Sequence, residues 1–386
     1  MRSIGIGFGR LGAMGVLAAT LPLLYALPGI AKDRVIETKE TSLKVETVAD
    51  GLEFPWGLAF LPDGRMLVTE RAGRLRIVGK DGSVSEPVRG VPEVVADGQG
   101  GLLDVALDPE FATNRIIYLS FSEPGEGDRA GTAVVRARLG EGRLEESRVI
   151  YSQRPKVRAN QHYGSRIVFR RDGTMFVTQG DRGGFRDSAQ SLTAGMGKIM
   201  RINTDGTVPR DNPFFGRAPA QPEIWSYGHR NAQAAALHPQ TGELWTVEHG
   251  ARGGDELNNP QAGRNYGWPV ITYGIDYNGS RIGEGAAREG MEQPVYYWDP
   301  VIAPSGMAFY TGNRYPGWRN SVLIGGMASN ALVRLVLENG RVTLEERYLG
   351  DLRERIRDVQ QGPDGLIYVV TDSPQGQVMR IVPVSP

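Results

Sequence analysis

The chain has 386 residues, in which 44 Lys and Arg balance 44 Asp and Glu, and it contains 52 Gly, 24 Pro, four His and no Cys. The zero formal charge argues against a nucleic-acid-binding protein, which needs a basic surface. The lack of Cys excludes disulfides, iron–sulfur clusters and thiolate zinc sites, and four His make a polyhistidine metal site unfavoured.

The first 31 residues have the composition of a secretory signal peptide. Arg2 and Arg10 are their only charged residues, and an apolar run spans positions 11–30. We therefore expect cleavage near residue 31 and one mature catalytic domain over 32–386, in the periplasm or secreted. The alternative is an uncleaved anchor helix, because the apolar run is close to the length that spans a bilayer. No later stretch is as long and apolar, so the mature form is not expected to span a membrane.

The rest of the sequence repeats a simple pattern of an apolar strand, a tight turn and a second β-rich strand. The six copies begin at Trp56–Phe60, Leu102–Leu107, Ser165–Phe169, Ala232–Leu237, Gly306–Tyr310 and Ile356–Val359. Asp-Gly and Pro-Asp-Gly pairs supply the positive φ that hairpin turns require. Six such units without a long amphipathic helix predict an all-β, six-bladed β-propeller with about four antiparallel strands per blade. Two stacked β-sandwiches are the alternative, and they explain the matched repeats less well.

The residues that lead into the first strands of these units should meet at one mouth of the central channel. They are polar and cationic rather than typical of turns, and they include Gln99, His162, Arg230, Asn231, Arg355 and Arg357. Guanidinium groups bind carboxylates through paired hydrogen bonds, so the cluster predicts a site for a polyanionic small ligand. A His in this company can act as a base near neutral pH, although a structural His is the ordinary alternative.

A Gly-rich insertion with oxygen ligands follows the fourth unit. It runs from Glu248 to Glu256 and continues to the aromatic stretch Asn265–Pro269. Hard oxygen ligands on such a loop suit calcium better than a transition metal. A solvated turn has the same composition, so both interpretations stay open at this point.

Together these motifs resemble the soluble aldose sugar dehydrogenases, glucose/sorbosone dehydrogenase-like six-bladed propellers that use pyrroloquinoline quinone (PQQ) with calcium. The resemblance extends from about residue 41 to residue 382. Its most specific stretches are Phe54–Phe60, Gly98–Asp104, Glu223–Asn231, Glu248–Gly250, Gly253–Glu256, Asn265–Pro269 and Arg355–Val359. The resemblance implies an exported oxidoreductase that converts the C1 hydroxyl of aldoses to lactones. Its partners would be a sugar and a soluble or membrane-bound electron acceptor, and not nucleic acid.

The resemblance also implies a role for each matching position. His162 and Arg230 match catalytic residues, His162 as the base that takes the anomeric hydroxyl proton. The positions that match cofactor-binding residues are Gln99, Arg230, Asn231, Thr272, Gly326, Ala328, Arg355 and Arg357. Gly250 and Ala251 match the pair whose backbone carbonyls hold the cofactor's calcium, and Glu256 and Tyr266 match ligands of a structural calcium.

The sequence departs from the family pattern at several of these places. Ala328 stands where members often place a Lys that contacts the cofactor, which predicts a weaker affinity for PQQ or a retuned potential. Gln161 replaces the Asp or Asn that often precedes the catalytic His, and Arg182 replaces a Gln of glucose-oxidising members. The calcium-binding pair, usually Gly-Pro, ends in Ala251.

Two other functions remain open from the residues alone. A metal-dependent lactonase on a similar propeller would need several carboxylate and Asn ligands at the channel, where this sequence supplies Arg. A non-catalytic binding propeller would have no need of His162.

Overall fold

Each of the six sequence repeats forms its own antiparallel sheet. The computed structural model describes residues 34–38 and 42–384, so the predicted signal peptide, residues 1–31, lies outside the described residues. The prediction of an all-β, six-bladed propeller is confirmed. About four strands per blade is also correct as an average, because four sheets have four strands, the first blade has three, and the last sheet has five.

The strands follow one another in a simple chain order. Two N-terminal strands are β1 (Arg34–Glu37) and β2 (Ser42–Leu52). Blade 1 contains β3 (Pro55–Phe60), β4 (Met66–Glu70) and β5 (Arg74–Val78). Blade 2 contains β6 (Leu102–Leu107), β7 (Ile116–Pro124), β8 (Ala130–Leu139) and β9 (Leu144–Ser152). Blade 3 contains β10 (Ile167–Phe169), β11 (Thr174–Thr178), β12 (Lys198–Asn203) and β13 (Ile224–Tyr227).

The remaining blades repeat this order. Blade 4 contains β14 (Ala232–Leu237), β15 (Leu244–Glu248), β16 (Asp255–Asn258) and β17 (Tyr296–Trp298). Blade 5 contains β18 (Pro304–Phe309), β19 (Val322–Gly326), β20 (Ala331–Glu338) and β21 (Arg341–Tyr348). Blade 6 contains β22 (Ile356–Gln361), β23 (Ile367–Thr371) and β24 (Gly376–Val384).

The helices of the described residues are short: α1 (Phe111–Asn114) and two 3-10 turns at Arg186–Gln190 and Gly350–Leu352. None of these is long or apolar enough to cross a bilayer.

The first strands of the six blades form a closed ring. β3 contacts β6, β6 contacts β10, and β10 contacts β14, while β14 contacts β18, β18 contacts β22, and β22 returns to β3. Hydrogen bonds close the ring near both ends of the described chain, because β2 pairs along its length with β24 in the last sheet. The loops that precede the first strands are thereby held around one mouth of the channel.

A buried ion cluster crosses the channel below that mouth. Arg166, just before β10 of blade 3, donates to Asp104 at 2.9 Å, lies 3.1 Å from Asp358, and has its guanidinium carbon 4.3 Å from the ring centre of Trp56. Its Nε donates to the backbone oxygen of Gln233 in blade 4 at 2.8 Å. Burial raises the pKa of Asp104 to about 6, and the positive charge of Arg166 partly opposes that rise. Five of the six blades therefore meet through one guanidinium.

Most first strands lose register with their neighbour soon after they begin. The irregularities lie at Pro55/Leu58, Leu102/Val105, Ala232/Ala234, Pro304/Met307 and Ile356/Asp358. A β-bulge bends a strand and re-aims its side chains, and bulges are common beside functional sites. Here the bulges lie at the channel mouth that carries the candidate site residues.

Candidate functional site

His162 is held by contacts to both its ring and its backbone. It lies in the loop between β9 and β10, and its backbone N–H donates to Oε1 of Gln99 at 2.9 Å. Its Nδ1 is 2.6 Å from Oδ1 of Asp181, which follows β11. An ionised carboxylate can only accept, so the proton is on Nδ1 and Nε2 is left as the basic nitrogen.

Asp181 is itself fixed by two further donors. Its Oδ2 accepts from Nε1 of Trp268 at 2.7 Å, and its Oδ1 accepts from the backbone N–H of Gly183 at 2.7 Å. Only 1% of the Asp181 surface is exposed. This carboxylate thus orients the imidazole of His162, as the third member of a catalytic arrangement does.

The electrostatic environment keeps His162 neutral. The side chain is buried, and the loss of solvation lowers its pKa below the ordinary value. The hydrogen bond to Asp181 opposes that effect, while the positive charges of Arg230 and Arg182 add to it. A neutral imidazole with Nε2 free is the form that accepts a proton.

A cavity of about 300 Å³ lies in front of His162. Its volume is at the lower end of the range for small-molecule sites, about 300–1,000 Å³. The lining residues whose side chains carry charge or hydrogen-bonding groups are Gln161, His162, Asp181, Arg186, Arg230, Trp268, Asp276 and Tyr277. The cavity therefore combines one base, two cations, two carboxylates and two aromatic walls.

Arg230 reaches this cavity from the loop before β14. Its backbone N–H donates to Oε2 of Glu248 at 2.6 Å, and its guanidinium carbon is 5.2 Å from the ring centre of Trp268. One side-chain nitrogen, Nη1, donates to the backbone oxygen of His249 at 3.3 Å, whereas the buried Nε has no partner among the described residues. A buried donor without a partner is costly, and it fits an anionic ligand atom at this place.

Arg355 and Arg357 meet at one carboxylate. Asp372 accepts from Nε of Arg355 at 2.9 Å and lies 3.1 Å from Nη2 of Arg357. Nη1 of Arg357 donates to Oε1 of Gln233 at 3.0 Å, and nothing in residues 34–38 or 42–384 pairs with its buried Nε. Two guanidinium groups share a single carboxylate, so the pair keeps a net positive charge that fits a carboxylated cofactor.

The other predicted cofactor positions lie around the same mouth. Oδ1 of Asn231 accepts from the backbone N–H of Gly164 at 3.1 Å, close to His162 in the chain. Ala328 lies in the turn after β19, where the oxygen of the adjacent Met327 accepts from Arg355 at 3.4 Å. Gly326 ends β19 in that turn. Ala328 is thus next to Arg355, and it brings no charge of its own.

Three of the four predicted metal positions line a second, smaller cavity, which Arg230 also lines. Gly250, Glu256, Tyr266 and Thr272 line it together with Arg230, and Ala251 lines the cavity in front of His162. A side chain at residue 250 would meet the backbone oxygen of residue 253 at 2.2 Å, so only Gly lets the two backbone segments approach.

The acidic groups of this smaller cavity favour a cation. Burial, together with the neighbouring Glu248, raises the pKa of Glu256 to about 8. Asn258 donates to Glu248 at 3.0 Å and to Glu256 at 3.2 Å, and its buried Oδ1 finds no donor in the part of the chain that the structure describes. The carboxyl group of Glu256 and the unpaired amide oxygen of Asn258 are hard oxygen ligands that fit Ca²⁺.

The side-chain hydroxyl of Tyr266 is already used in hydrogen bonds to the backbone. Its hydroxyl donates to the backbone oxygen of Asn259 at 2.7 Å and accepts from the N–H of Gln261 at 2.9 Å. Its ring stacks on His229, with ring centres 4.8 Å apart. We infer that any bond from Tyr266 to a metal comes from its backbone oxygen.

Sequence reasoning missed three residues of this site. Asp181 follows the second strand of blade 3 and does not lie in a loop before a first strand. The Gly180-Asp181 pair after that strand is the sequence signal that could have identified it. Trp268 belongs to the aromatic stretch Asn265–Pro269 but received no role. Tyr277, whose hydroxyl is 3.5 Å from Arg230, lies in a loop for which the sequence offered no template.

The chain is similar to known sugar dehydrogenases in both sequence and structure. The family model described as glucose/sorbosone dehydrogenase matches residues 52–380. The chain is 43% identical over 364 residues to the aldose sugar dehydrogenase YliI of Escherichia coli (strain K12), a match that covers 93% of this chain and 98% of that protein. It is similar to a crystal structure of glucose dehydrogenase, with a TM-score of 0.86, 50% identity, and coverage of 88% and 99% of the two chains. It is also similar to the PQQ-bound form of an aldose sugar dehydrogenase from Streptomyces coelicolor, with a TM-score of 0.73, 29% identity, and coverage of 88% and 98%.

Proposed function

The chain belongs to the glucose/sorbosone dehydrogenase family and is a PQQ-dependent sugar dehydrogenase, and we propose that it oxidises the C1 hydroxyl of aldoses to lactones. The observation that carries the proposal is the His162–Asp181 pair, which faces a cavity of about 300 Å³ together with Arg230. This arrangement supplies a base and a cation at one sugar-sized site.

The oxidation removes a proton from the C1 hydroxyl and a hydride from C1, so the sugar loses two electrons. PQQ, when bound, supplies the two-electron acceptor for that hydride. Nε2 of His162 takes the hydroxyl proton, because Nδ1 is occupied by Asp181. Asp181 then stabilises the imidazolium that forms, and Trp268 keeps the carboxylate in place.

Arg230 brings a positive charge to the same cavity as His162. With an acceptor bound, the guanidinium of Arg230 would stabilise the negative charge that the acceptor gains from the hydride. Its buried Nε, which no described residue pairs, supports this role.

The proposed cofactor contacts follow from the same residues. The carboxylates and carbonyl oxygens of PQQ would be bound by Gln99, Arg230, Asn231, Thr272, Arg355 and Arg357, with the backbone of Gly326 and Ala328 beside them. The carbonyls of Gly250 and Ala251 would hold a Ca²⁺ ion at the cofactor, and Glu256 and Tyr266 would bind a structural Ca²⁺ ion. The unpaired buried groups at Arg230, Arg357 and Asn258 support these assignments.

We also propose that the enzyme is exported to the periplasm or beyond, with residues 1–31 removed and the catalytic domain over 32–386. The basic start and apolar run of the first 31 residues support export. Mass spectrometry of the protein from an exporting host should find a mature N-terminus near residue 32. A full-length chain retained in the membrane would contradict cleavage.

The central experiment is reconstitution of the apo-protein with PQQ and Ca²⁺, followed by dye reduction with a panel of aldoses. We expect PQQ-dependent reduction, which the His162→Ala variant loses while it still binds PQQ. His238→Ala is a matched control, because His238 lies at the other end of β14, against Trp245 and Phe309, and should keep full turnover.

Other outcomes would point to other functions. Lactone hydrolysis without dye reduction would support a lactonase, and sugar binding without turnover would support a binding propeller. Either result for the reconstituted protein would overturn the proposal.

A further inference from the structure

We propose that Arg182 is a positioning residue that fixes the loop on which His162 stands. The inference rests on the proposed function only in that His162 is the base of the reaction. Arg182 departs from the family pattern and does not line the cavity in front of His162.

The side chain of Arg182 is completely buried beneath this loop. Nη1 donates to the backbone oxygen of Gln161 at 2.7 Å, and Nη2 donates to the backbone oxygen of Ala159. The guanidinium carbon lies 3.3 Å from the ring centre of Tyr163. One planar group therefore holds the residues on both sides of His162 and the residue three positions before it.

Most other contacts of the loop hold different backbone groups from those that Arg182 holds. The oxygen of Asn160 accepts from the N–H of Gln99 at 2.7 Å, and the oxygen of Tyr163 accepts from the hydroxyl of Thr132 at 2.7 Å. The oxygens of Ala159 and Gln161 accept from Arg182. The oxygen of Ala159 also accepts from the hydroxyl of Tyr163 at 3.3 Å, whereas the oxygen of Gln161 has no other donor among the described residues, so removing the guanidinium leaves the Gln161 carbonyl without a partner.

The backbone conformation explains why so much support is needed. His162 has φ of 52° and Arg182 has φ of 61°, both in the left-handed region that non-glycine residues rarely adopt. Such conformations are unfavourable for residues with a side chain and persist only when their surroundings enforce them. Gly180 lets the two segments approach, since a side chain there would lie 2.1 Å from the oxygen of His162.

Asp181 and Arg182 thus hold His162 in complementary ways. Asp181 binds the ring, and its neighbour Arg182 binds the backbone carbonyl groups that precede His162. An error of about 1 Å in the position of a catalytic group can reduce the rate by roughly a hundredfold. Arg182 is accordingly placed to control the rate without touching the sugar.

The charge of Arg182 also acts on the imidazole. The titratable groups that interact with His162 or line its cavity are Asp181 and Arg182 after β11, Arg230 before β14, His249 after β15, and Arg186, Asp276 and Tyr277 in the cavity lining. Arg182 and Arg230 are the cations that lower the pKa of His162. Removal of the Arg182 charge should therefore raise the pKa of His162.

The test compares Arg182→Met and Arg182→Lys with wild type in the full chain. On an aldose that the wild-type holoenzyme oxidises, Arg182→Met should lower kcat by roughly 10- to 100-fold and leave KM nearly unchanged. Arg182→Lys keeps the charge but reaches one carbonyl at a time, so it should recover part of kcat.

A second readout needs no cofactor. The chain has only four His, so ¹⁵N-histidine NMR of the apo-protein can follow each titration, with His162→Ala for assignment. Arg182→Met should raise the pKa of His162, and Arg182→Lys should leave it close to wild type.

Arg201→Gln is the matched control. Arg201 is also buried in blade 3, its guanidinium carbon is 5.4 Å from the ring centre of Trp225, and it binds Asp172 away from the cavity. This variant should lose stability and keep kcat and the titration of His162.

A folded Arg182→Met protein with wild-type kcat and an unchanged His162 titration would overturn the proposal. An equal loss of kcat in Arg201→Gln would also overturn it, because the effect would then be general destabilisation. If wild type oxidises no aldose, the proposed function fails, and the NMR titration still tests Arg182.

Discussion

Replacement of Asp181 by Asn gives the sharpest test of the catalytic arrangement. The substitution preserves shape but exchanges one acceptor oxygen for an NH₂ donor. In the structure, Oδ1 receives N–H groups from His162 and Gly183, and Oδ2 receives the N–H of Trp268. Either orientation of the new amide consequently places two donors against each other.

The size of the effect follows from these contacts. If the new NH₂ group faces Trp268, a buried donor loses its partner at a cost of about 1–3 kcal/mol. If it faces His162, the imidazole must move its proton to Nε2, the nitrogen that has to accept the sugar proton. Both cases weaken the base, and loss of a positioned general base costs roughly 10²–10⁴-fold. We expect kcat to fall within that range, with little change in PQQ binding.

The assay is PQQ-dependent dye reduction by wild type, Asp181→Asn, His162→Ala and the double variant, each saturated with PQQ and Ca²⁺. If Asp181 acts through His162, its substitution should cost little once His162 is absent. Fluorescence titration with PQQ, for all four proteins, separates cofactor loss from loss of turnover.

Two results would refute this reasoning. Wild-type kcat in Asp181→Asn would show that the carboxylate does not orient the base. A full additional loss in the double variant would show that Asp181 has a role independent of His162.

Three further predictions concern the cofactor and stability. Arg357→Met should weaken PQQ binding by about 10- to 100-fold, the equivalent of one lost charge-assisted hydrogen bond of about 1.5–3 kcal/mol, and unchanged affinity in a titration would contradict its role. Ala328→Lys should tighten PQQ binding by up to about tenfold in the same titration, because it adds a cation beside Arg355, and weaker binding would contradict that placement. Burial lowers the pKa of Lys198 to about 7. The unfolded chain therefore binds the proton more tightly, and the free energy of unfolding should rise with pH between about 7 and 10. Urea unfolding at pH 7 and pH 9 should show this rise in wild type and not in Lys198→Met, and an equal rise in both proteins would refute it.

The repeat pattern was enough to predict the fold, because the residues of each unit form a hairpin of their own. A turn such as Pro62–Gly64 and its flanking strands depend on residues only a few positions apart. The six first strands then meet in a ring, so the loops before them had to converge. His162 and Arg230 accordingly line one cavity, and Arg357 reaches Gln233 beside them.

The partners of these residues could not be predicted in the same way. Asp181 is 19 positions from His162, and Trp268 is 87 positions from Asp181. Their contacts depend on how the loops of different blades fold over the channel, which no local pattern records. Arg182 and Tyr266 illustrate the same limit, since only the packing shows one guanidinium under the His162 loop and one hydroxyl turned to the backbone.

The sequence by itself therefore determined the architecture, the family and most positions at the channel mouth, because hairpin turns, strand periodicity and motif order are local properties of the chain. Only the tertiary structure decided which nitrogen of His162 is free, which guanidinium nitrogens have no partner within the described residues and which residue supports the loop. Hydrogen bonding and burial are properties of neighbours in space, and the ring of blades brings those neighbours together from distant parts of the chain.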